Sequence, residues 1–299
     1  MTAWEFLFRI KPPMRILLIG AAGQLAQDLL PVLQARGHDV VPVTHEQLEI
    51  CTLAAVRQTV TTARPQCVIN TAAFHRVDDC EDQAERAFAV NVVGVRNLAQ
   101  AAEEAGAALA HFSTDYVFGG EKRTPYTETD LPRPLSTYAM SKLAGEFAAR
   151  RYCSRHFVVR TCGLYGMGGS RSKGGNFVET MLRLAAQGKT IRVVADQIVT
   201  PTSTADLAER VALLIESEHY GLYHMTSAGE CSWYEFAAQV FRLARVSADL
   251  QPTDSKSFAA KARRPAYSVL ENCALRAAGL PEFRPWQEAL GDYMGRRRT

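Results

Sequence analysis

Tyr138 and Lys142 stand four residues apart in the string STYAMSK. On a helix that spacing projects both side chains from one face. A ketone that receives a hydride also needs a proton. A phenol, with an ordinary pKa of ~10, can supply one at neutral pH when a nearby cation stabilises the phenolate. Lys142 is such a cation, and its ammonium can also hold a nicotinamide ribose. A YxxxK pair by itself is common in helices, where packing or solvation accounts for it. Here it follows a predicted strand, ALAHFS (108–113), whose end at Ser113 and Thr114 brings a hydroxyl to the carboxyl edge of a sheet. Thr114 is therefore expected to hydrogen-bond the substrate carbonyl or the tyrosine hydroxyl; a turn or helix cap is the plainer alternative.

A second group of residues could bind the hydride carrier. Gly20 and Gly23, in GAAGQLA, end the first predicted strand and open a helix that begins with Gln24 and Leu25. At such a junction a dinucleotide pyrophosphate rests on exposed backbone amides. A glycine-rich strand-to-helix turn is weak on its own and gains weight from lying at the first βα junction. The second strand ends in Val43, Thr44 and His45, with no carboxylate to repel a 2′-phosphate and no arginine to attract one. Thr44 and His45 are thus expected beside the adenosine ribose, with NADPH or NADH as cofactor, comparable use of both and a slight lean to NADPH.

The elements that must position these groups follow from the hydrophobic pattern. Short apolar, β-branched runs at 15–20, 39–45, 66–70, 108–113 and 156–161 alternate with amphipathic stretches at 23–36, 53–63, 81–105 and 136–151. That alternation predicts an α/β fold, a doubly wound parallel sheet of Rossmann type with a smaller C-terminal substrate-binding portion. Fully apolar strands fit burial on both faces. Further helices are expected near 176–187, 204–217, 233–245 and 285–295, with strands at TIRVV and GLYHMT and a polar stretch at 250–268. Residues 1–13 read as an N-terminal extension, 14–165 as the dinucleotide-binding domain with segments of about 190–226 returning to it, and 166–299 as mainly substrate-binding.

Composition excludes several classes of function. With 47% apolar and 22% charged residues, the 299-residue chain is an ordinary globular protein large enough for its own core. A net charge of +3 provides no basic stripe, so no nucleic-acid partner is expected, and the closing Arg296, Arg297 and Arg298 read as a solvated tail. Seven scattered cysteines without a CxxC pair suggest free thiols in a cytoplasmic protein. No apolar run approaches the ~20 residues of a membrane span. No side-chain spacing suggests a metal site.

The chain resembles the dTDP-4-dehydrorhamnose reductase family of the extended short-chain dehydrogenases. The similarity runs from about Arg15 to Trp286, through GAAGQLA, NTAAFHRVDDCE, AVNVVGVRNLA, STDYVFGG, PYTETDLPRPLSTYAMSKLAGE, GNFVETMLRLA, DQIVTPT, GLYHMTSAGECSWYEFA and RRPAYSVL. The resemblance implies a nicotinamide cofactor, the triad Thr114, Tyr138 and Lys142, and NAD(P)H-dependent reduction of the 4-keto group of a nucleotide-activated deoxysugar, dTDP-4-dehydrorhamnose to dTDP-rhamnose. Asn70, Ala72 and Ala73 match the loop along the cofactor. Asn176, Asp196, Gln197, Pro201 and Arg264 match positions on the nucleotide-sugar side, and Asp115 and Tyr116, following Thr114, are placed there too. Arg263 and Arg264 carry the charge a diphosphate needs, with a solvated surface pair as the alternative.

Two departures bear on the sugar. The chain reads RTCGLYG where the family has RTSWVYG, so Gly163 is expected to open the pocket. It reads TAAFHRVD where the family has AAAYTAVD, which puts His75 near the substrate entrance as a hydrogen-bond donor or as an ordinary loop histidine. Relatives of this kind also include the non-catalytic regulatory subunit of methionine adenosyltransferase and nucleotide-sugar epimerases, which stand as alternative readings. A homodimer is left open.

Overall fold

The computed structural model describes residues 12–168, 174–258 and 260–297. The expected N-terminal extension, apart from Pro12 and Pro13, lies outside them, as does Arg298. The first half runs β1 (Arg15–Ile19), α1 (Gln24–Ala35), β2 (Asp39–Val43), α2 (Leu53–Ala63), β3 (Cys67–Asn70), α3 (Val77–Asp82), α4 (Ala84–Phe88), α5 (Val95–Glu104), β4 (Ala108–Thr114), α6 (Thr137–Tyr152) and β5 (His156–Thr161). The second half continues through β6 (Leu164–Tyr165), α7 (Phe177–Ala185), β7 (Ile191–Val194), β8 (Ile198–Val199), β9 (Thr202–Ser203), α8 (Thr204–Ile215), β10 (Gly221–His224), β11 (Cys231–Ser232), α9 (Trp233–Ala244), β12 (Leu250–Thr253), α10 (Cys273–Ala277) and α11 (Trp286–Arg296).

Six strands form the central sheet in the order β10-β5-β4-β3-β1-β2, and every neighbouring pair is parallel. Successive side chains along a strand point to opposite faces. Ile16 and Leu18 of β1 pack with Leu25, Leu29 and Leu33 of α1 and Leu207 and Val211 of α8. Leu17 and Ile19 pack on the other face with Val56 and Val60 of α2, Leu98 and Ala102 of α5 and Ala149 of α6. Covered on both sides, β3 and β4 are buried throughout, as the apolar runs required. The strand order reverses between β1 and β3, which opens a crevice at the carboxyl ends of the strands.

The helix expected over 81–105 is not continuous. It breaks at Gln83 (φ −122°, ψ 48°) and passes through a π-helical segment, Ala89–Gly94, before α5 begins. The cause is a polar demand inside an apolar run. The Asn91 side chain leaves the helix to bond neighbouring segments, and a π-turn re-aims it. Gly145 of α6 accommodates this turn, since a Cβ there would lie 2.3 Å from the Asn91 carbonyl oxygen.

In the second half, α8 and β10 join the layers of the central sheet, whereas β7 pairs with β12 in a separate ribbon. A further core gathers Tyr165, Val178, Phe236, Trp286 and Tyr293. At the C-terminus Arg297, exposed as expected, also donates to Glu179 at 2.7 and 3.1 Å and ties the end of the chain to α7.

Candidate active site

Gly20 sits at φ +79°, where a Cβ would lie 2.8 Å from Thr71 Oγ1 and 2.9 Å from the Ala72 amide nitrogen, so only glycine fits the turn. Gly23 precedes α1, and its amide donates to the Gly20 carbonyl (2.8 Å). The helix that follows has no side-chain cap and no acid in its first turn, which leaves its N-terminal amides and positive dipole end for an anion. Gln24 donates to the Leu164 carbonyl (3.1 Å), its Oε1 is buried with no partner among the described residues, and Leu25 is buried in the core. Glycines that admit close backbone approach and an uncapped helix start fit a dinucleotide pyrophosphate. At the end of β2, the Thr44 amide is bonded to Gln47 Oε1 (2.8 Å) and His45 is exposed, 4.0 Å from Glu49.

Asn70 ends β3 with its amide held by two partners, His111 Nδ1 at 3.2 Å and the Ala72 amide donating to Oδ1 at 3.1 Å. The loop through Ala72 and Ala73 is half-buried. It is pinned further on by Asn91, which accepts from the Phe74 amide (2.9 Å) and donates to the Phe74 carbonyl (3.0 Å) and to Ser141 Oγ (2.9 Å). Asn91 thus links this loop to the helix that carries Tyr138 and Lys142. From sequence it was missed; the available signal was an asparagine in the apolar string AVNVVG.

Register places Thr114 at the carboxyl end of β4 opposite Thr161 of β5. Its hydroxyl accepts from the Tyr116 amide (3.2 Å) and so caps the short turn Asp115–Val117, donates to Asp115 Oδ1 (3.1 Å), and lies in hydrogen-bonding reach of Tyr138. Of the two roles weighed for Thr114, the cap is present as a hydrogen bond. Ser136 starts the helix beneath this pair by accepting from the Ala139 amide (3.3 Å), and Glu81 of α3 accepts from the Thr137 amide and hydroxyl, both at 2.9 Å. Lys142, 2% exposed, donates to the Phe112 carbonyl at 2.6 Å.

The electrostatics differ from the sequence-based expectation of an acidified phenol. Desolvation pushes the Tyr138 hydroxyl above its ordinary range, with Thr114 opposing and Asp115 adding to the rise. Burial lowers Lys142 to about 8, against the pull of Glu146. A neutral phenol is the protonation state from which a proton can be given.

On the side assigned to substrate, Tyr116 and Tyr138 meet edge to face at 6.3 Å between ring centroids. Arg264 pairs with Asp78 of α3 (2.8 Å) and donates to the Ala262 carbonyl (3.0 Å). It therefore straps the segment before Pro265 across α3. His75 is half-buried, its Nδ1 3.2 Å from the Ala73 carbonyl. Three residues are turned inward. Asp115 is 3% exposed with both oxygens bonded inside the protein. Asn176 caps α7 at Glu179 (3.0 Å) and donates to the Gly166 carbonyl (2.9 Å) and to Tyr293 (3.2 Å). Gln197 donates to Ser255 Oγ (2.8 Å), alongside Asp196, which accepts from the same serine.

Gly163 does not leave open space. At φ +55°, its Cβ would lie 3.2 Å from both Pro201 Cα and Trp233 Cη2. Trp233, half-buried at the start of α9, in turn packs on Phe177 with ring centroids 4.8 Å apart. The aromatic surface lost at 163 is met by one arriving from a different element.

A doubly wound parallel sheet with a glycine turn at its first βα junction and threonine, tyrosine and lysine gathered at the carboxyl edge is the arrangement of the extended short-chain dehydrogenases and reductases. Within that class the chain belongs to the RmlD substrate binding domain family, whose model matches residues 14–298. It is 42% identical over 286 residues to a dTDP-4-dehydrorhamnose reductase of Streptomyces griseus, covering 93% of this chain and 92% of that one. It is 39% identical over 280 residues to a dTDP-4-keto-6-deoxy-D-glucose reductase of Streptomyces niveus, covering 92% and 95%. Among solved structures, the dTDP-4-dehydrorhamnose reductase of Bacillus anthracis str. Ames in complex with NADP is similar at 37% identity and TM-score 0.91, over 95% of this chain and all (100%) of that one.

Proposed function

We propose that this protein reduces the 4-keto group of a nucleotide-activated deoxysugar, dTDP-4-dehydrorhamnose to dTDP-rhamnose, with NADPH or NADH. The observation that carries the reading is the placement of Thr114 at the carboxyl edge of the sheet and of Tyr138 and, one helical turn on, the buried Lys142 on the helix packed beside that strand. The names of the relatives supply the sugar class. Gly20, Gly23, Gln24, Leu25, Thr44, His45, Asn70, Ala72 and Ala73 would hold the dinucleotide, which supplies the hydride when bound.

The chain's own groups do the rest. Tyr138, kept neutral by burial, donates its proton to the carbonyl oxygen as negative charge develops there. Thr114 steadies the tyrosine oxygen. Lys142, anchored on the Phe112 carbonyl, holds a positive charge beneath the site as the phenol becomes a phenolate. His75, Tyr116 and Arg264 stand on the substrate side, where Arg264 has the geometry to exchange its bond to Asp78 for a diphosphate oxygen. Asn176, Gln197 and Asp115 shape that side from behind. Seven cysteines, none of them in a disulfide, suit a reducing compartment, the cytoplasm; among the described residues no helix is long and apolar enough to cross a membrane.

The test is direct. The purified protein is mixed with NADPH and dTDP-4-dehydrorhamnose, and then with other nucleotide-linked 4-ketosugars, while absorbance at the dihydronicotinamide band is followed. Stoichiometric loss of NADPH together with the reduced sugar is expected. No loss with any of the sugars, or turnover without net consumption as an epimerase would show, overturns the reading.

A further inference from the structure

Glu81 meets a partner 56 positions further along the chain, at the start of the helix that carries the proposed proton donor. Its Oε1 accepts from the Thr137 amide and its Oε2 from the Thr137 hydroxyl, both at 2.9 Å. Thr137 opens α6, and Tyr138 is the next residue. The first amides of a helix find no partner within it. Around Tyr138 the local sequence meets that need in part: Ser136 Oγ accepts from the Ala139 amide at 3.3 Å, and no acid stands in the first turn of α6. The Thr137 amide is satisfied from another element, α3.

That element is braced from two sides. It follows directly on the loop through Ala72, Ala73 and His75, and its Cys80 is buried against this loop, with Sγ 3.7 Å from the Phe74 carbonyl. From the other side the late segment grips it. Asp78 accepts from the Ala262 amide at 2.9 Å and from Arg264 at 2.8 Å, and Lys261 pairs with Asp82. Glu81 thus ties the first turn of α6 to the loop assigned to the cofactor.

A carbonyl takes hydride on its carbon and a proton on its oxygen, one bond apart, so the proton donor must be placed relative to the hydride carrier and not merely near it. We propose that Glu81 is a positioning residue: by fixing Thr137 it sets where Tyr138 stands relative to the cofactor loop. Further along α6, Ser141 is held by Asn91 (2.9 Å) and Lys142 by the Phe112 carbonyl (2.6 Å), so the body of the helix keeps its place when the first turn is freed. The effect of losing Glu81 therefore falls on Tyr138. Glutamine preserves the tie, because its carbonyl oxygen accepts from the amide and its NH2 donates to the threonine hydroxyl.

The inference rests on the reading of Tyr138 as proton donor, and its test separates the two. Glu81→Ala and Glu81→Gln are made alone, and Glu81→Ala also together with Tyr138→Phe. For each, kcat and KM for dTDP-4-dehydrorhamnose with NADPH and the NADPH Kd are measured. Glu81→Ala should lower kcat by about tenfold with KM and Kd changed less than about threefold, Glu81→Gln should stay within about threefold in kcat, and in the Tyr138→Phe background Glu81→Ala should cost less than about twofold. An undiminished kcat in Glu81→Ala, a glutamine variant as slow as the alanine one, a loss of the same size without the Tyr138 hydroxyl, or a loss confined to KM or Kd overturns the role. Should Glu81→Ala not fold, Thr137→Val removes the hydroxyl bond alone and enters the same cycle. A fall in kcat of about threefold or more that vanishes with Tyr138→Phe then supports the role, and no fall, or one that persists, removes it. Failure of the reductase reading shows differently, as an unaltered protein that consumes no NADPH, and takes the proposed role with it.

Discussion

Glu146 and Arg160 form a bidentate ion pair, 2.9 and 2.7 Å, with both side chains almost wholly withdrawn from water. Ser113 donates to the same carboxylate at 2.5 Å, and Glu146 lies one helical turn beyond Lys142. The charge that supports Lys142 is therefore itself held by β4 and β5. A buried pair of this kind adds little over an apolar replacement, but removing one partner strands the other. Glu146→Ala is expected to lower unfolding free energy by ~3–5 kcal/mol, read from urea denaturation. An unchanged midpoint and slope would mean that Arg160 finds compensation elsewhere.

Tyr138→Phe removes one oxygen from a site whose packing, including the edge contact with Tyr116, is carried by the ring. Turnover should fall ~10²–10⁴-fold, the usual range for losing a positioned proton donor. NADPH affinity, followed by fluorescence titration, should hold within about threefold. Retained turnover would show that the proton comes from another group.

Lys142 is brought down to about 8 by burial. Below that pH it is an ammonium and can support the developing phenolate; above it the charge is lost. The rate of reduction should therefore decline as pH rises through about 8. Glu146 raises the lysine's value, so neutralising it in Glu146→Gln should move the decline to lower pH. A profile of kcat/KM against pH for both proteins checks this, and a shift to higher pH would contradict the sign.

Gly20→Ala places a methyl 2.8 Å from Thr71 Oγ1 and 2.9 Å from a backbone nitrogen, at a φ of +79° that disfavours alanine. The turn must shift away from its cradle shape. Cofactor binding is expected to weaken by about tenfold or more, equivalent to ~1.4 kcal/mol, with a smaller effect on thermal stability. Equal NADPH affinity in calorimetric titration would separate this turn from the cofactor.

At the end of β2, Thr44 and an exposed His45 provide neither a repelling carboxylate nor an arginine. Steady-state kcat/KM for NADPH and NADH should agree within about tenfold. A hundredfold preference for NADH would mean that a group outside this strand end reads the ribose.

Local pattern carried the elements and picked out the residues proposed as the triad. Apolar alternation marked β1 through β5, glycine chemistry marked the first turn, and a four-residue spacing marked Tyr138 and Lys142, because each signal is written in neighbouring residues. What stayed hidden depends on partners distant in the chain. Asp115 meets Cys162 and Ser268 at separations of 47 and 153 residues, and no periodicity foretells that its carboxylate turns inward. The π-turn at Asn91 is likewise set by Ser141, 50 residues away. Burial of the phenol, which reversed the expected direction of its acidity, is a property of the assembled crevice.

Trp233 lies 3.2 Å from where a Cβ on Gly163 would stand, which ties the contour of the side proposed for the sugar to two positions 70 residues apart in numbering. Bulk at that rim is a shared quantity: a ring added at one position requires a smaller residue at the other. A change of sugar would then proceed through compensating exchanges, and a single swap at either position, made alone, would crowd the rim or hollow it.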